Sequence, residues 1–344
     1  MTEPTFAQFF CTLSELDEDL NFLGSEREAR VLPKIKAASD YLQKRIGHFL
    51  PVTRQIGFNG KNKTRIFVLP FLSVSAISND GTALVSGDYV KQPTMRHWAN
   101  GPFSYLDVDP DASNLSAWAD EEEGVLVTAN WGLFDLTRSI SAAVGASGQT
   151  NNATALVVTN GAAVSPGMVV KIGSEWELVD STNATPTNVT TLGAAITDAN
   201  AQTVTFADGS LVNVGEILRS GLEQMKLRDV SGNTGLVIRG WNNTPKSTHS
   251  NGATVAAYRT FNVTRGVNGS TAAAHDAATA IYQQCAPDDI NALCRKIAGR
   301  MLKDAQGGFS GVVGDPNTGQ AQYLYVMPHE LDEILSNYYI PVVR

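Results

Sequence analysis

The sequence predicts an α+β protein: a small helical-core domain with a β-hairpin region, carrying an inserted all-β domain. Three observations predict it. Apolar residues recur at helical spacing near both ends of the chain, the middle consists of short β-type runs, and composition shifts sharply between the two. Residues 140–212 hold six charges in 73 positions and are rich in Ala, Thr, Asn, Val and Gly. The expected domains are therefore 1–135 plus 284–344 for the helical core and 136–283 for the insertion. At 344 residues the chain suits about two domains, with a core that needs neither disulfide nor metal.

Each element has its own signal. Leu16, Leu20 and Leu23 mark a first helix with Ser14 as N-cap. A second helix starts at Pro33, suited to the first helical position, and buries Ile35, Ala38, Leu42, Ile46 and Phe49. Arg65–Leu69 and Leu72–Ile77 read as strands, Asp80-Gly81 as a hairpin turn, and Val125–Thr128 as a strand running on to Trp131-Gly132. Pro287 opens a third helix whose stripe is Ile290, Leu293, Ile297 and Met301, with Asp288 and Asp289 at the positive end of its dipole. A short helix from Pro328 to about Asn337 precedes Tyr338-Tyr339-Ile340-Pro341-Val342-Val343-Arg344, which is apolar and extended in character.

Two internal repeats organise the middle. Gly167-x-Val-Val-Lys-Ile-Gly-Ser-Glu175 recurs 48 residues later as Gly215-x-Ile-Leu-Arg-Ser-Gly-Leu-Glu223. Arg239-Gly240-x-Asn242-x-Thr244-x4-His249 recurs 26 residues later as Arg265-Gly266-x-Asn268-x-Ser270-x4-His275. Two small β modules are the physical reading. Arg239, Asn242 and His249, with Arg265, Asn268 and His275, are expected to hold loop backbone by side-chain hydrogen bonds, not to bind metal.

Catalytic and cofactor motifs do not assemble. Cys11, Cys285 and Cys294 are odd in number and contain no CxxC, so reduced thiols are expected. Asp107-x-Asp109-x-Asp111 begins like a calcium loop, but Ala112 and Trp118 stand where Gly and Glu are required. The run Asp120–Glu123 reads as a solvated turn, Gly314-x4-Gly319 lacks the Lys of a phosphate loop, and His329-Glu330 lacks a second His. No enzyme, metal or cofactor is expected. Nor is a signal peptide or a membrane span, since no apolar run approaches 18 residues.

Charge is segregated. Net charge is 26 − 34 = −8; residues 1–26 carry six acids and no base, and residues 27–65 carry ten bases and two acids. Such an acidic chain is a poor general nucleic-acid binder. The basic face of the second helix, with Lys34, Lys36, Lys44 and Arg45, is expected to meet acidic surface on a neighbouring copy.

Three stretches resemble the head–tail connector (head-completion adaptor) proteins of long-tailed bacteriophages. They are Ala37–Gly47 with Leu69–Gly81 and Gly87-Asp88-Tyr89; Gly124–Gly132; and Val263–His275 with the helix after Pro287. The resemblance covers less than half the chain, and the order of the stretches carries more than any one of them. It implies a virion neck protein, assembled in the host bacterial cytoplasm as a ring, commonly of twelve copies. Such a ring docks under the portal protein, extends a channel through which double-stranded DNA slides without specific binding, and receives the stopper or tail. Tyr338, Tyr339, Ile340, Val342 and Val343 would then add a strand to the portal. A tail-completion or stopper protein, or a virion β protein that binds host glycans, are the other readings.

Overall fold

The structure, a computed structural model, describes residues 7, 9–20, 27–46, 51–94, 102–306, 312–313, 322–323 and 328–336. It corrects the expected fold class. Among the described residues 40% are strand and 20% helix, with three six-stranded antiparallel sheets and four helices. It is not a helical core carrying one β insertion.

The largest departure lies in residues 52–131, expected to give a hairpin region. They form a complete sheet from β1 (Val52–Phe58), β2 (Arg65–Asn79), β3 (Thr82–Ala83), β4 (Tyr89–Gln92), β5 (Phe103–Val108) and β6 (Val125–Trp131), in the order β1-β6-β2-β5-β4 with β3 on β2. The two strands read around Pro70 are one long strand. Its pairing with β6 shifts register twice, between Phe71 and Ser73 and between Val74 and Ala76, and Pro70 uses its carbonyl to accept the Gly132 N–H. The Asp80-Gly81 turn is present, with φ of +49° and +75° as a two-residue hairpin requires. Phe71, Leu106, Trp118, Val125, Val127 and Trp131 fill the core under this sheet.

The helices gather the two ends of the chain. α1 (Leu13–Leu20) is capped by Thr12, not Ser14: Glu15 N–H donates to Thr12 Oγ1 (3.3 Å) and Thr12 N–H to Glu15 Oε2 (2.8 Å), a reciprocal capping box. α2 (Arg27–Ile46) begins six residues before the expected start, so Pro33 lies inside it. Pro33 and Ala29, whose carbonyl loses its partner, are both exposed, and water can take up that carbonyl. Val31, Ile35, Ala38 and Leu42 of α2 pack against Ile290, Leu293, Cys294 and Ala298 of α3 (Asp288–Gln306), and Leu335 of α4 (Pro328–Ser336) joins them. Ile35 and Leu42 are fully buried, so truncating either to Ala should cost about 2–5 kcal/mol.

The remaining two sheets share one topology. The first holds β7 (Leu136–Ala143), β8 (Ala155–Val157), β9 (Val169–Ile172), β10 (Glu175–Thr182), β17 (Thr260–Thr264) and β18 (Ala280–Cys285), in the order β7-β18-β9-β10-β17-β8. The second holds β11 (Thr187–Thr191), β12 (Thr203–Thr205), β13 (Ile217–Ser220), β14 (Glu223–Ser231), β15 (Thr234–Ile238) and β16 (Thr254–Ala257), in the order β11-β16-β13-β14-β15-β12. Strand by strand these are the same sheet, and the second lies inside the first, at the β10–β17 connection. A 48-residue first half and a 26-residue second half account for both repeat offsets, and 48 + 26 = 74 residues is the unit's length. Insertion at a hairpin tip leaves every ladder of the host sheet intact.

Smaller features repeat as well. Asn160 and Asp208 each accept the N–H two residues on (Ala162, Ser210) and cap equivalent 3-10 turns. A Cβ on Gly161 or Gly209 would overlap the carbonyl of Tyr258 or Gly232, the equivalent chain passing beneath. The modules are tied by buried Glu216, which takes Arg259 in a bidentate pair (2.6 and 2.9 Å) and the N–H groups of Gly161 and Asn213.

Candidate functional site

Each module is closed by a buried Glu–Arg–His cluster. In the second, Arg239 makes a bidentate pair with Glu223 (2.7 Å for both bonds) and donates to the carbonyls of Asp198, Ala201 and Ser247. Glu223 also accepts the N–H groups of Gly240 and Ser247, and His249 Nε2 lies 2.8 Å away. In the first, Arg265 pairs with Glu175 (2.7 and 2.6 Å) and donates to Thr150, Ala153 and Ala273 carbonyls. Glu175 accepts from Gly266 and Ala273 N–H, with His275 Nε2 at 2.9 Å. Gly240 and Gly266 sit at φ +63° and +62°, the left-handed turn that aims the Arg and the following N–H at one carboxylate.

Electrostatics follow from this geometry. Burial raises Glu175 and Glu223, but Arg, His and backbone hydrogen bonds outweigh it and hold both below the usual carboxylate range, Glu223 at about 2. Glu177 differs. Burial pushes it up to about 7, against the opposing pull of Gln149 and Arg265. Its Oε1 lies 2.9 Å from Arg265 Nε, but that N–H is directed at Glu175. The equivalent residue of the second module is Met225. Glu175, Glu177 and His275 bring ligand atoms within 4.8 Å of one another. The Arg265 guanidinium already lies against both carboxylates and supplies the positive charge a cation would bring.

The two asparagines act on other segments than their own loops. Asn242 Nδ2 donates to Gln224 Oε1 (2.8 Å), and the Asn268 side chain pairs with both backbone groups of Ala7, accepting its N–H (2.9 Å) and donating to its carbonyl (3.1 Å). The carboxylates were the residues that sequence reasoning missed. Both ended the 48-residue repeat, yet nothing in a linear reading brings them to the Arg and His of the other.

Lys36 and Lys44 lie on the side of α2 turned away from α3, whereas half-buried Lys34 and exposed Arg45 flank the packed stripe. Lys36 pairs with Asp40 one turn on (2.7 Å), and Arg45 lies over the Tyr41 ring and 3.5 Å from Asp332 of α4. Lys34 and Lys44 have no ion-pair partner among the described residues. Exposed pairs of this kind contribute below about 1 kcal/mol, so the face is left free to orient a contact. Tyr338, Tyr339, Ile340, Val342 and Val343 lie outside the described residues. No family model, curated protein or solved structure matches the chain.

Proposed function

We propose that this protein is a structural, non-catalytic virion component: a ring-forming head–tail connector that docks beneath a portal, extends the DNA channel and receives a stopper or tail. The observation that carries the reading is the α2 face. Its apolar side is spent on α3, while Lys34 and Lys44 are half-buried and exposed, respectively, with no acidic partner among the described residues, in a chain whose net charge is −8. A cationic ridge on an otherwise acidic molecule orients copies around a ring, with apolar burial supplying the affinity. The acidic balance also suits a channel past which DNA slides, because attractive phosphate contacts would retard it. The sequence resemblance supplies the place in the virion.

Replacing Lys34, Lys36 and Lys44 together by Glu tests this. Lys36 and Lys44 are exposed and Lys34 is half-buried at the edge of the α2 stripe, so the monomer should fold with unchanged circular dichroism while ring formation, read by analytical ultracentrifugation, falls. Normal assembly of the triple variant would remove the α2 face from the reading. Rings that form but do not bind portal would move the protein to the tail-completion or stopper position.

A further inference from the structure

We propose that Cys11 and Cys294 form a redox latch: in an oxidising medium they join in a disulfide that fastens the N-terminal segment to α3. Their sulfurs lie 3.4 Å apart, although the two residues are 283 positions apart in the chain. Thiols at that separation need to approach by only about 1.4 Å to reach the disulfide bond length. The described residues bring no third His, Cys, Asp or Glu to these sulfurs, as a zinc site would require, so bond formation between them is the chemistry the pair can do.

The segment that Cys11 belongs to is what the bond would secure. Its backbone reaches both layers beside it. The Phe10 N–H donates to Ser39 Oγ on α2 (3.1 Å), and the Phe10 carbonyl accepts from Asn291 Nδ2 on α3 (2.9 Å). Ala7 is held at both backbone groups by Asn268, and the Leu13 N–H donates to the Pro166 carbonyl of the first β module. Residues 7–13 therefore join the helices to that module, and in the reduced protein they do so through non-covalent contacts alone. Chain ends held in this way are the parts of a fold that open most readily. A covalent bond at Cys11 removes that opening.

The order of events follows from the two environments. The Cys11 thiol donates to the Cys294 sulfur, which holds Cys294 below the usual thiol range and pushes Cys11 above it, so Cys294 is the nucleophile. The oxidant is a small disulfide. Cys294 as thiolate attacks one of its sulfurs, and the first small thiolate leaves and takes up a proton. Cys11 then gives up its proton and attacks Cys294 Sγ; the mixed disulfide breaks and the second small thiol departs. Two protein thiols are oxidised and one small disulfide is reduced to two thiols. Cys11 and Cys294 are 1% and 0% exposed, so the exchange waits for the segment to lift from α3 and is slow in both directions. A reducing cytoplasm keeps the pair as thiols, and transfer to an oxidising medium closes it. The inference rests on the two thiols and stands apart from the connector reading.

The test uses the full-length, freshly reduced protein, incubated with hydroxyethyl disulfide and then denatured without reductant. Thiol titration should fall from three per chain to one, and peptide mapping should find Cys11 joined to Cys294 with Cys285 left free or capped by the small thiol. Hydrogen exchange of the native oxidised protein should be slower at residues 10–13 by roughly tenfold or more, and reductant should restore it. The same oxidant applied to Cys294→Ala should leave exchange there unchanged. Three free thiols after prolonged oxidation would overturn the proposal and make the pair two small buried side chains. A bond from Cys11 to Cys285, which shares a cavity of about 570 Å³ with it, would overturn the pairing. A Cys11–Cys294 bond that leaves exchange at residues 10–13 unaltered would overturn the latch.

Discussion

Replacing Arg239 by Met should unlock the second module while leaving the first as an internal reference. The Arg239 side chain is 1% exposed and Glu223 is fully buried, so the substitution strands a carboxylate from its guanidinium partner. It also strips the donors from the carbonyls of Asp198, Ala201 and Ser247. Breaking a buried pair from one side costs about 3–5 kcal/mol. Glu223 retains two backbone N–H groups and His249, which places the expected loss near the lower end of that range. A module of 48 + 26 = 74 residues has roughly 4–11 kcal/mol of stability in total at 0.05–0.15 kcal/mol per residue. Between about a quarter and three quarters of it is therefore at stake. Hydrogen exchange read by mass spectrometry should show amides of residues 198–201 and 239–249 losing protection on the order of 100-fold, at 1.4 kcal/mol per tenfold. The equivalent amides of the first module, 150–153 and 265–275, should stay within a few fold. Loss of less than about fivefold in the second module would refute the view that the cluster closes it.

Other expectations follow from the same sites. Glu177 is raised from 4.5 to about 7 in the folded chain, so its contribution is fully present below pH 4.5 and is lost as pH rises through 7. Glu177→Met, copying Met225, should flatten that decline and stabilise the first module at pH 8 by up to about 3 kcal/mol in urea unfolding; destabilisation at pH 8 would contradict the assignment. Glu223 has the opposite sign: held at about 2, it stabilises the second module above pH 4.5, and that contribution should fade as pH falls toward 2. Among the thiols, Cys11 and Cys294 are buried with sulfurs 3.4 Å apart, whereas Cys285 is half-buried. Alkylation of the native protein should therefore modify one thiol per chain and that of the denatured protein all three; rapid labelling of Cys11 would place the N-terminal segment elsewhere.

Local signals in the sequence were legible where periodicity was strong. The stripes Ile35-Ala38-Leu42 and Ile290-Leu293-Ile297 are buried in the structure as their spacing required. The first sheet was obscured because its strands do not alternate cleanly. β1 carries Thr53, Arg54 and Gln55 in succession, and β5 carries, one residue before its end, Asp107, which pairs with Arg65 across the sheet and looked instead like the start of a metal loop. The duplication was half legible. Each repeat was visible, but nesting gives the two halves different offsets, 48 and 26, so they read as two motifs instead of one unit. For the same reason the Glu175–Arg265 and Glu223–Arg239 partnerships were hidden. They join the last residue of one repeat to the first of the other, across 90 and 16 residues of chain.

The central claim, that this protein acts as a ring between head and tail, is tested most directly by negative-stain images of the purified chain, alone and with portal protein. The account predicts closed rings with a stain-filled central hole that stack coaxially on the portal ring. Uniform monomers at every concentration, with or without portal, would contradict it.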